Sequence, residues 1–462
     1  MGGYAGNLLY VDLTSGRVQV KPLDMAFARK NIGGLGFGTR IFLDLIKSKP
    51  RFDALSADNP FILMTGPLTG CGMDATARWS VCSKSPLTGF WGEANVGGHF
   101  GSRLKLAGYD GIVITGAAQQ PVYLYINDQH IELRDASAYW GKDVYAVTDA
   151  LTKDLRDQSS KPGQVLTIGP AGEKRVRFAN LINKKGHAAG RTGLGAVWGS
   201  KKLKAIYVAG SGKLDIAHPG KLKALRAQLK KIYAESIYIS SIQSAGTPAH
   251  LDVGIISGDI PIKNWQMSDW EDIDKLGPAS IEEKIHAGGR TCYACTVACK
   301  KNAQVKTGPY KIEKGPAPEY ETVAAFGTMC LNADIESVAK ANDICNRYGM
   351  DTISCGSTIA FAIDCFENGL LTTDETDGLE LCWGNAAAIV AMAEKIGNNE
   401  GFGAVLAEGS AQAAQRIGKG ASRYLTTVKG LEAPMHDPRN AHGFGLAYGI
   451  SPRGACHEAS LV

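Results

Sequence analysis

The sequence predicts an α+β protein, a β-rich N-terminal base followed by mostly α-helical domains. Short apolar runs bounded by turns fill the chain as far as about Gly210, and beyond it apolar residues recur at spacings of three and four. Glycine, 56 of 462 residues, exceeds the average usage of about 7%, and it clusters in loops between the short runs.

In chain order, the strand-like runs are LLYVDL, VQVKPL, FILMTG, GIVITG, VYLYIN, HIELRD, VLTIG, VRFANL and AIYVAG. Val122 to Leu133 reads as a hairpin, because Asn127-Asp128-Gln129 separates two alternating β-rich runs. The loops Gly33–Gly38, Gly66–Gly72, Gly89–Gly101 and Gly186–Gly199 are longer than hairpins need, and loops on a sheet scaffold are where binding sites sit. The windows Leu222–Ile232, Ser337–Arg347, Thr352–Phe366 and Ala386–Ile396 read as helices. The expected domains are therefore 1–210, β-rich; 211–425, helical; and 426–462, the start of a third helical domain that the sequence leaves incomplete.

Lys plus Arg exceed Asp plus Glu by only 5, too small an excess to predict nucleic-acid binding. No window approaches the roughly 18 consecutive apolar residues of a membrane span. The first residues lack a basic stretch followed by an apolar one, and residue six is glycine where a myristoylation signal wants Ser or Thr. A cytoplasmic protein is expected. Eleven cysteines, an odd number, argue against a disulfide framework and toward metal ligation or burial.

The sharpest chemical signal is Arg290-Thr-Cys292-Tyr-Ala-Cys295-Thr-Val-Ala-Cys299-Lys300. Spacings of three and four gather the sulfurs of Cys292, Cys295 and Cys299 around one short turn-and-helix segment. An iron–sulfur cubane takes four thiolates, and three can come from one such segment. A structural zinc with a ligand from elsewhere, or three semi-buried cysteines, are the competing readings. Cys330, Cys345, Cys355, Cys365, Cys382 and Cys456 are fourth-ligand candidates in principle.

The glycine loops match neither the dinucleotide fingerprint nor the P-loop, but their backbone N–H groups could hold an anion, with Arg78, Arg191 and Lys201 nearby in sequence for phosphates. Pro318-Glu319-Tyr320-Glu321 sets two carboxylates two residues apart. Met435-His436-Asp437-Pro438-Arg439 and Arg453-Gly-Ala-Cys456-His457-Glu458 gather His, Asp, Arg and Cys, and His457 is a proton-transfer candidate.

With these residues in view, the whole chain resembles the tungsten-containing aldehyde ferredoxin oxidoreductase family. The carriers are GGLGFGTR (33–40), TGPLTG (65–70), Arg78 through KSPLTG to Asn95-Val-Gly-Gly, LAGYDGIVITG (106–116), HAAGRTGLGAVWGSKKLKAI (187–206), the three-cysteine run, PEYET (318–322), YGMDTIS (348–354) and SPRGACH (451–457). The resemblance implies a pterin-binding base, tungsten or molybdenum held by two molybdopterins, a Mg2+ bridging their phosphates, and a [4Fe-4S] cluster. It implies that Arg78, Asn95, Gly97, Gly98, His187, Ala188, Gly190, Arg191 and Asp351 bind pterin or magnesium. Asp351 departs from the family's Asp-x-x-Gly-Leu pattern, reading Asp-Thr-Ile-Ser-Cys.

By the same resemblance the family's fourth cluster cysteine and second pterin aspartate lie past the C-terminal end of this sequence. The expected activity is oxidation of a small-molecule aldehyde to a carboxylic acid with water as oxygen donor. Electrons would pass to ferredoxin or a partner iron–sulfur subunit, and proton transfer falls to His457 with Glu321 or Glu319. A non-catalytic or electron-transfer subunit, or a tungsten enzyme acting on an aromatic thioester, are the alternatives. Either a homo- or a hetero-oligomer is compatible with the sequence.

Overall fold

The computed structural model describes residues 2–159 and 161–459. The chain divides into two compact units, Met1–Arg175 with Ala179–Ser236 and Thr291–Val297, and Val176–Phe178 with Ile237–Arg290 and Ala298–Val462.

Unit one is built on two six-stranded sheets. The first holds β1 (Asn7–Asp12), β2 (Arg17–Pro22), β3 (Phe61–Thr65), β4 (Trp79–Lys84), β5 (Trp91–Val96) and β6 (Gly111–Thr115), in the order β2-β1-β6-β3-β4-β5. The second holds β7 (Val122–Asn127), β8 (His130–Asp135), β9 (Gln164–Thr167), β10 (Leu181–Asn183), β11 (His187–Ala189) and β12 (Leu203–Ala209), in the order β11-β10-β9-β12-β7-β8. The pairs β1–β6 and β7–β12 are parallel and all others antiparallel.

Period-two alternation explains the layering. Leu9, Val11, Phe61 and Leu63 of the first sheet and Leu124, Ile126, Ile206 and Val208 of the second share one buried core. Leu8, Ile62 and Met64 point the other way, onto Phe37, Ile41 and Phe42 of the helix Leu35–Ile46. On the outer face of the second sheet, Tyr123, Tyr125 and Tyr207 meet Val147 and Leu151 of the helix Val144–Asp154. Burying one such aliphatic side chain contributes about 1.5–3 kcal/mol.

Unit two is mostly helical. The helix Thr352–Glu367 is buried all round from Ile353 to Cys365 and packs on Tyr320–Phe326. Gly356 permits that approach, since a Cβ there would lie 2.7 Å from Ala325 backbone atoms. Ile335–Tyr348 packs on Ala386–Asn398, and Asp334, Asp351 and Asn385 cap their helices by accepting backbone N–H bonds.

Three local readings differ from the sequence expectation. Of the run VRFANL, residues 176–180 lie outside any strand, and β10 begins only at Leu181. A three-stranded sheet, β13 (His286–Arg290), β14 (Lys300–Val305) and β15 (Ile312–Pro316), interrupts the helical part. Its strands HAGGR, KKNAQV and IEKGP carry too few apolar side chains to alternate. The cysteine run between β13 and β14 forms turns and no helix, because Ala294 and Ala298 adopt φ of 54° and 51°.

Candidate functional site

Within unit one, β5 and β11 are the last strands of their respective sheets and lie beside one another. This meeting of edges gathers residues far apart in sequence. Asn95 stands on β5, where its Oδ1 accepts from the Ser80 hydroxyl at 2.7 Å. Gly97 and Gly98 follow directly. His187 and Ala188 stand on β11, and Gly190, Arg191, Thr192 and Gly193 lead into the helix Leu194–Ser200. His187 and Arg191 are buried, while Arg78, directly before β4, is exposed.

Gly98 has φ 87°, and a Cβ there would lie 2.8 Å from Asn183 Oδ1 and 2.9 Å from His187 Cγ. A Cβ on Gly97 would lie 2.9 Å from Cys292 Sγ. Only glycine brings the backbone this close. The Gly98 N–H donates to Cys292 Sγ at 3.2 Å, the Tyr293 N–H donates to Gly98 O at 3.0 Å, and His99 Nε2 lies 3.0 Å from Thr291 O. The structure thus joins the glycine turn, His187 and the first cysteine of the run, Gly98 and Cys292 being 194 positions apart.

All three cysteines of the run are reduced and neither buried nor fully exposed. Asp74 anchors the run by accepting from the Thr296 N–H and hydroxyl. Cys299 belongs to unit two, next to Lys300. A half-open thiol that accepts a backbone N–H, on a turn backed by glycines, suits a thiolate-held cluster.

In unit two the two glutamates of PEYET part company. Glu319 pairs with Lys300 Nζ at 2.8 Å and accepts from the Thr247 hydroxyl at 2.7 Å. Burial pushes its pKa up, but Lys300 and Thr247 outweigh that and hold it below the usual range. Glu321 accepts from the Met435 N–H at 2.8 Å through Oε2, and its Oε1 lies 3.2 Å from His457 Nδ1 and 3.5 Å from His436 Nε2. Glu321 Oε1 and His457 Nδ1 are both buried, yet their alignment makes no hydrogen bond. Burial lowers the His457 pKa, but Glu321 and then Cys456 more than offset it and bring it to about 9.

Around this pair lie His436 and Tyr320, already noted in their motifs, with His250 and Asp259, which the sequence did not single out. His250 Nε2 and His436 Nδ1 lie 3.1 and 2.6 Å from Asp259 Oδ2, and the Tyr320 ring stacks on His436. His250 and Asp259 carry no motif, so no local signal could have found them. Asp351 stands apart from this group: its oxygens accept from the Ile353 N–H at 3.1 Å and the Ser354 hydroxyl at 3.0 Å, capping its own helix.

Comparison with known proteins fits this geometry. Residues 8–210 match the profile described as aldehyde ferredoxin oxidoreductase, N-terminal domain, and residues 223–462 match that of domains 2 and 3. The chain belongs to the aldehyde ferredoxin oxidoreductase family. It is 38% identical over 461 residues to the tungsten-containing aldehyde ferredoxin oxidoreductase of Pyrococcus abyssi (strain GE5 / Orsay), covering 99% of this chain and 74% of that protein. The enzyme of the same description from Pyrococcus furiosus is 39% identical over 459 residues, with the same coverage. Also from P. furiosus, the aliphatic sulfonate oxidoreductase, WOR-like subunit, is 33% identical over 483 residues, covering all of this chain and 76% of that one.

Among solved structures, the active site complex BamBC of benzoyl coenzyme A reductase in complex with 1,5-dienoyl-CoA superposes with a TM-score of 0.82 at 26% identity. It covers 94% of this chain and 66% of that chain. The family is one of oxidoreductases of the tungsten, pterin and iron–sulfur type. Among the described residues, no helix is long and apolar enough to cross a membrane.

Proposed function

We propose that this chain oxidises an aldehyde to a carboxylic acid with water as oxygen donor. The observation that carries the proposal is the buried Glu321–His457 contact, a carboxylate and an imidazolium aimed at each other without a hydrogen bond. Such a pair can give and take protons at a reacting oxygen. The half-reaction, RCHO + H2O → RCOOH + 2 H+ + 2 e−, needs a proton acceptor beside the carbonyl and a separate electron exit.

In this proposal Arg78, Asn95, Gly97, Gly98, His187, Ala188, Gly190, Arg191 and Asp351 hold two molybdopterins and their Mg2+, and Cys292, Cys295 and Cys299 hold a [4Fe-4S] cluster. Asp351 enters by resemblance, since its carboxylate is already engaged as a helix cap. When bound, the tungsten or molybdenum supplies carbonyl polarisation and two-electron oxidation, and the cluster supplies a one-electron exit. Glu321, fixed by the Met435 N–H, serves as base; His457, charged at neutral pH, orients it and stabilises developing negative charge. Glu319, spent on Lys300 and Thr247, keeps the entry to its helix in place. The electron acceptor is ferredoxin or a partner iron–sulfur subunit, and the compartment is the cytoplasm.

The test is anaerobic purification with tungstate, elemental analysis, and aldehyde-dependent reduction of ferredoxin. Protein holding neither tungsten nor molybdenum overturns the proposal. Loaded protein that ignores aldehydes but turns over an aliphatic sulfonate or an aromatic CoA thioester moves it to the chemistry of those relatives.

A further inference from the structure

One contact outside the Glu321–His457 pair stands His436. Its ring stacks on Tyr320 at 4.8 Å and on Phe444 at 5.4 Å, each at 26°. These two stacked neighbours hold the plane of the imidazole and with it the aim of both nitrogens. Nδ1 lies 2.6 Å from Asp259 Oδ2, and Nε2 lies 3.5 Å from Glu321 Oε1. Asp259 is nearly buried, and its Oδ2 also takes a contact from His250 Nε2. Burial raises its pKa, but the hydrogen bonds of His250 and His436 outweigh that and leave it at about 2, so it is ionised throughout the working range.

We propose that Asp259 and His436 form a positioning pair that acts through Glu321, Asp259 fixing the Nδ1–H tautomer so that the bare Nε2 lone pair of His436 faces Glu321 as a proton store. The proposal rests on the acid/base reading of Glu321 given above. When Glu321 has taken a proton, its Oε1–H bond breaks and an Nε2–H bond forms on His436; no electrons move. The imidazolium then lies between the carboxylates of Asp259 and the restored Glu321, which stabilise it. After product leaves, the same proton passes from Nε2 to water and the tautomer is restored. The titratable groups facing His436 are Asp259, Glu321, His250, His457, Tyr320 and Tyr448, the last donating its hydroxyl to His436 O at 3.2 Å.

The first readout needs no cofactor. In protein labelled with nitrogen-15 histidine and free of metal, His436 should show the Nδ1–H tautomer, and Asp259→Asn should convert it to Nε2–H or a mixture. In loaded enzyme, His436→Gln should lower kcat about tenfold or more with KM for aldehyde within about twofold, and shift a limb of the pH profile. Should D259N fail to fold, His250→Gln, altering a side chain 42% exposed, tests the same oxygen by moving the His436 Nδ1 resonance.

An unchanged tautomer in D259N, a wild-type kcat and pH profile in H436Q, or an unmoved resonance in H250Q overturns the pair. So does stoichiometric Zn2+ binding that D259N abolishes, because the ligand atoms of His250, Asp259 and His436 lie within 4.8 Å of one another and an ion there would occupy Nδ1. If loaded wild-type protein oxidises no aldehyde, the functional proposal falls, and the tautomer measurement alone decides the pair.

Discussion

The two units hold chemically opposite sites. In unit one the contacts are made by backbone: the Gly98 N–H meets Cys292 Sγ, and glycines occupy places where a Cβ would collide. In unit two they are made by side chains, with Glu321, His436, His457, Asp259 and His250 meeting through carboxylate and imidazole. A backbone site tolerates no added atom but offers little to titrate. A side-chain site tolerates conservative replacement and responds to pH.

The largest effect that separates the two belongs to the cysteines. Cys295→Ala should abolish cluster absorbance and electron transfer outright, because two thiolates of the run cannot replace three. Unchanged iron content would return the run to ordinary burial. His457→Ala comes next, lowering kcat by roughly 10²–10⁴-fold with metal content intact, as for a lost acid/base group. Metal loss in that variant would make His457 a ligand-site residue and erase the distinction between the sites.

Glycine gives a sharper comparison inside unit one. Gly98→Ala adds a Cβ 2.8 Å from Asn183 Oδ1 at φ 87°, whereas Gly89→Ala at φ 74° meets nothing within 4 Å. The second variant should cost only the left-handed penalty of about 1 kcal/mol. The first should cost about 2–4 kcal/mol, by adding displacement of Asn183 and His187 to the same penalty. Equal unfolding midpoints would show that the Gly98 cradle is not tight.

That difference also explains what the sequence could reveal. Glycine and cysteine motifs are contiguous, so the glycine loops, Arg191 and the cysteine run could be picked out one stretch at a time, while Gly97, Gly98 and His187 within those loops came from the family resemblance. Their convergence could not, because it depends on two sheet edges meeting. Strands such as β1, β3, β6 and β7 were legible through apolar runs. β4 and β5 were not, since Ser80, Ser83, Gly92 and Asn95 break their pattern while the ladder holds through backbone. The spacing of Cys292, Cys295 and Cys299 fits a helix as well as a turn, and only the positive φ of Ala294 and Ala298 decides it. The pair Glu319 and Glu321 was legible as a pair. Which one faces a histidine depends on Lys300, Thr247 and Met435, from three other segments.

The smallest effect tests that last division. Glu319→Gln removes an ion pair whose side chains are 23% and 33% exposed, so the loss should be only about 0.5–1 kcal/mol. Because the folded-state pKa of Glu319 lies below its ordinary value, its stabilisation is present above the usual glutamate range and is lost as pH falls through the folded pKa. The difference in melting temperature between wild type and E319Q should therefore be full at neutral pH and shrink in acid. His457 has the opposite sign: its raised pKa stabilises the fold fully below the ordinary histidine value, and that contribution fades as pH rises through about 9. E321Q should remove the alkaline dependence and keep the acid one, while E319Q should do the reverse. Two glutamates two residues apart would then be separated by the direction in which pH undoes them, and loss of kcat in E319Q comparable to that in E321Q would show that the division is not functional.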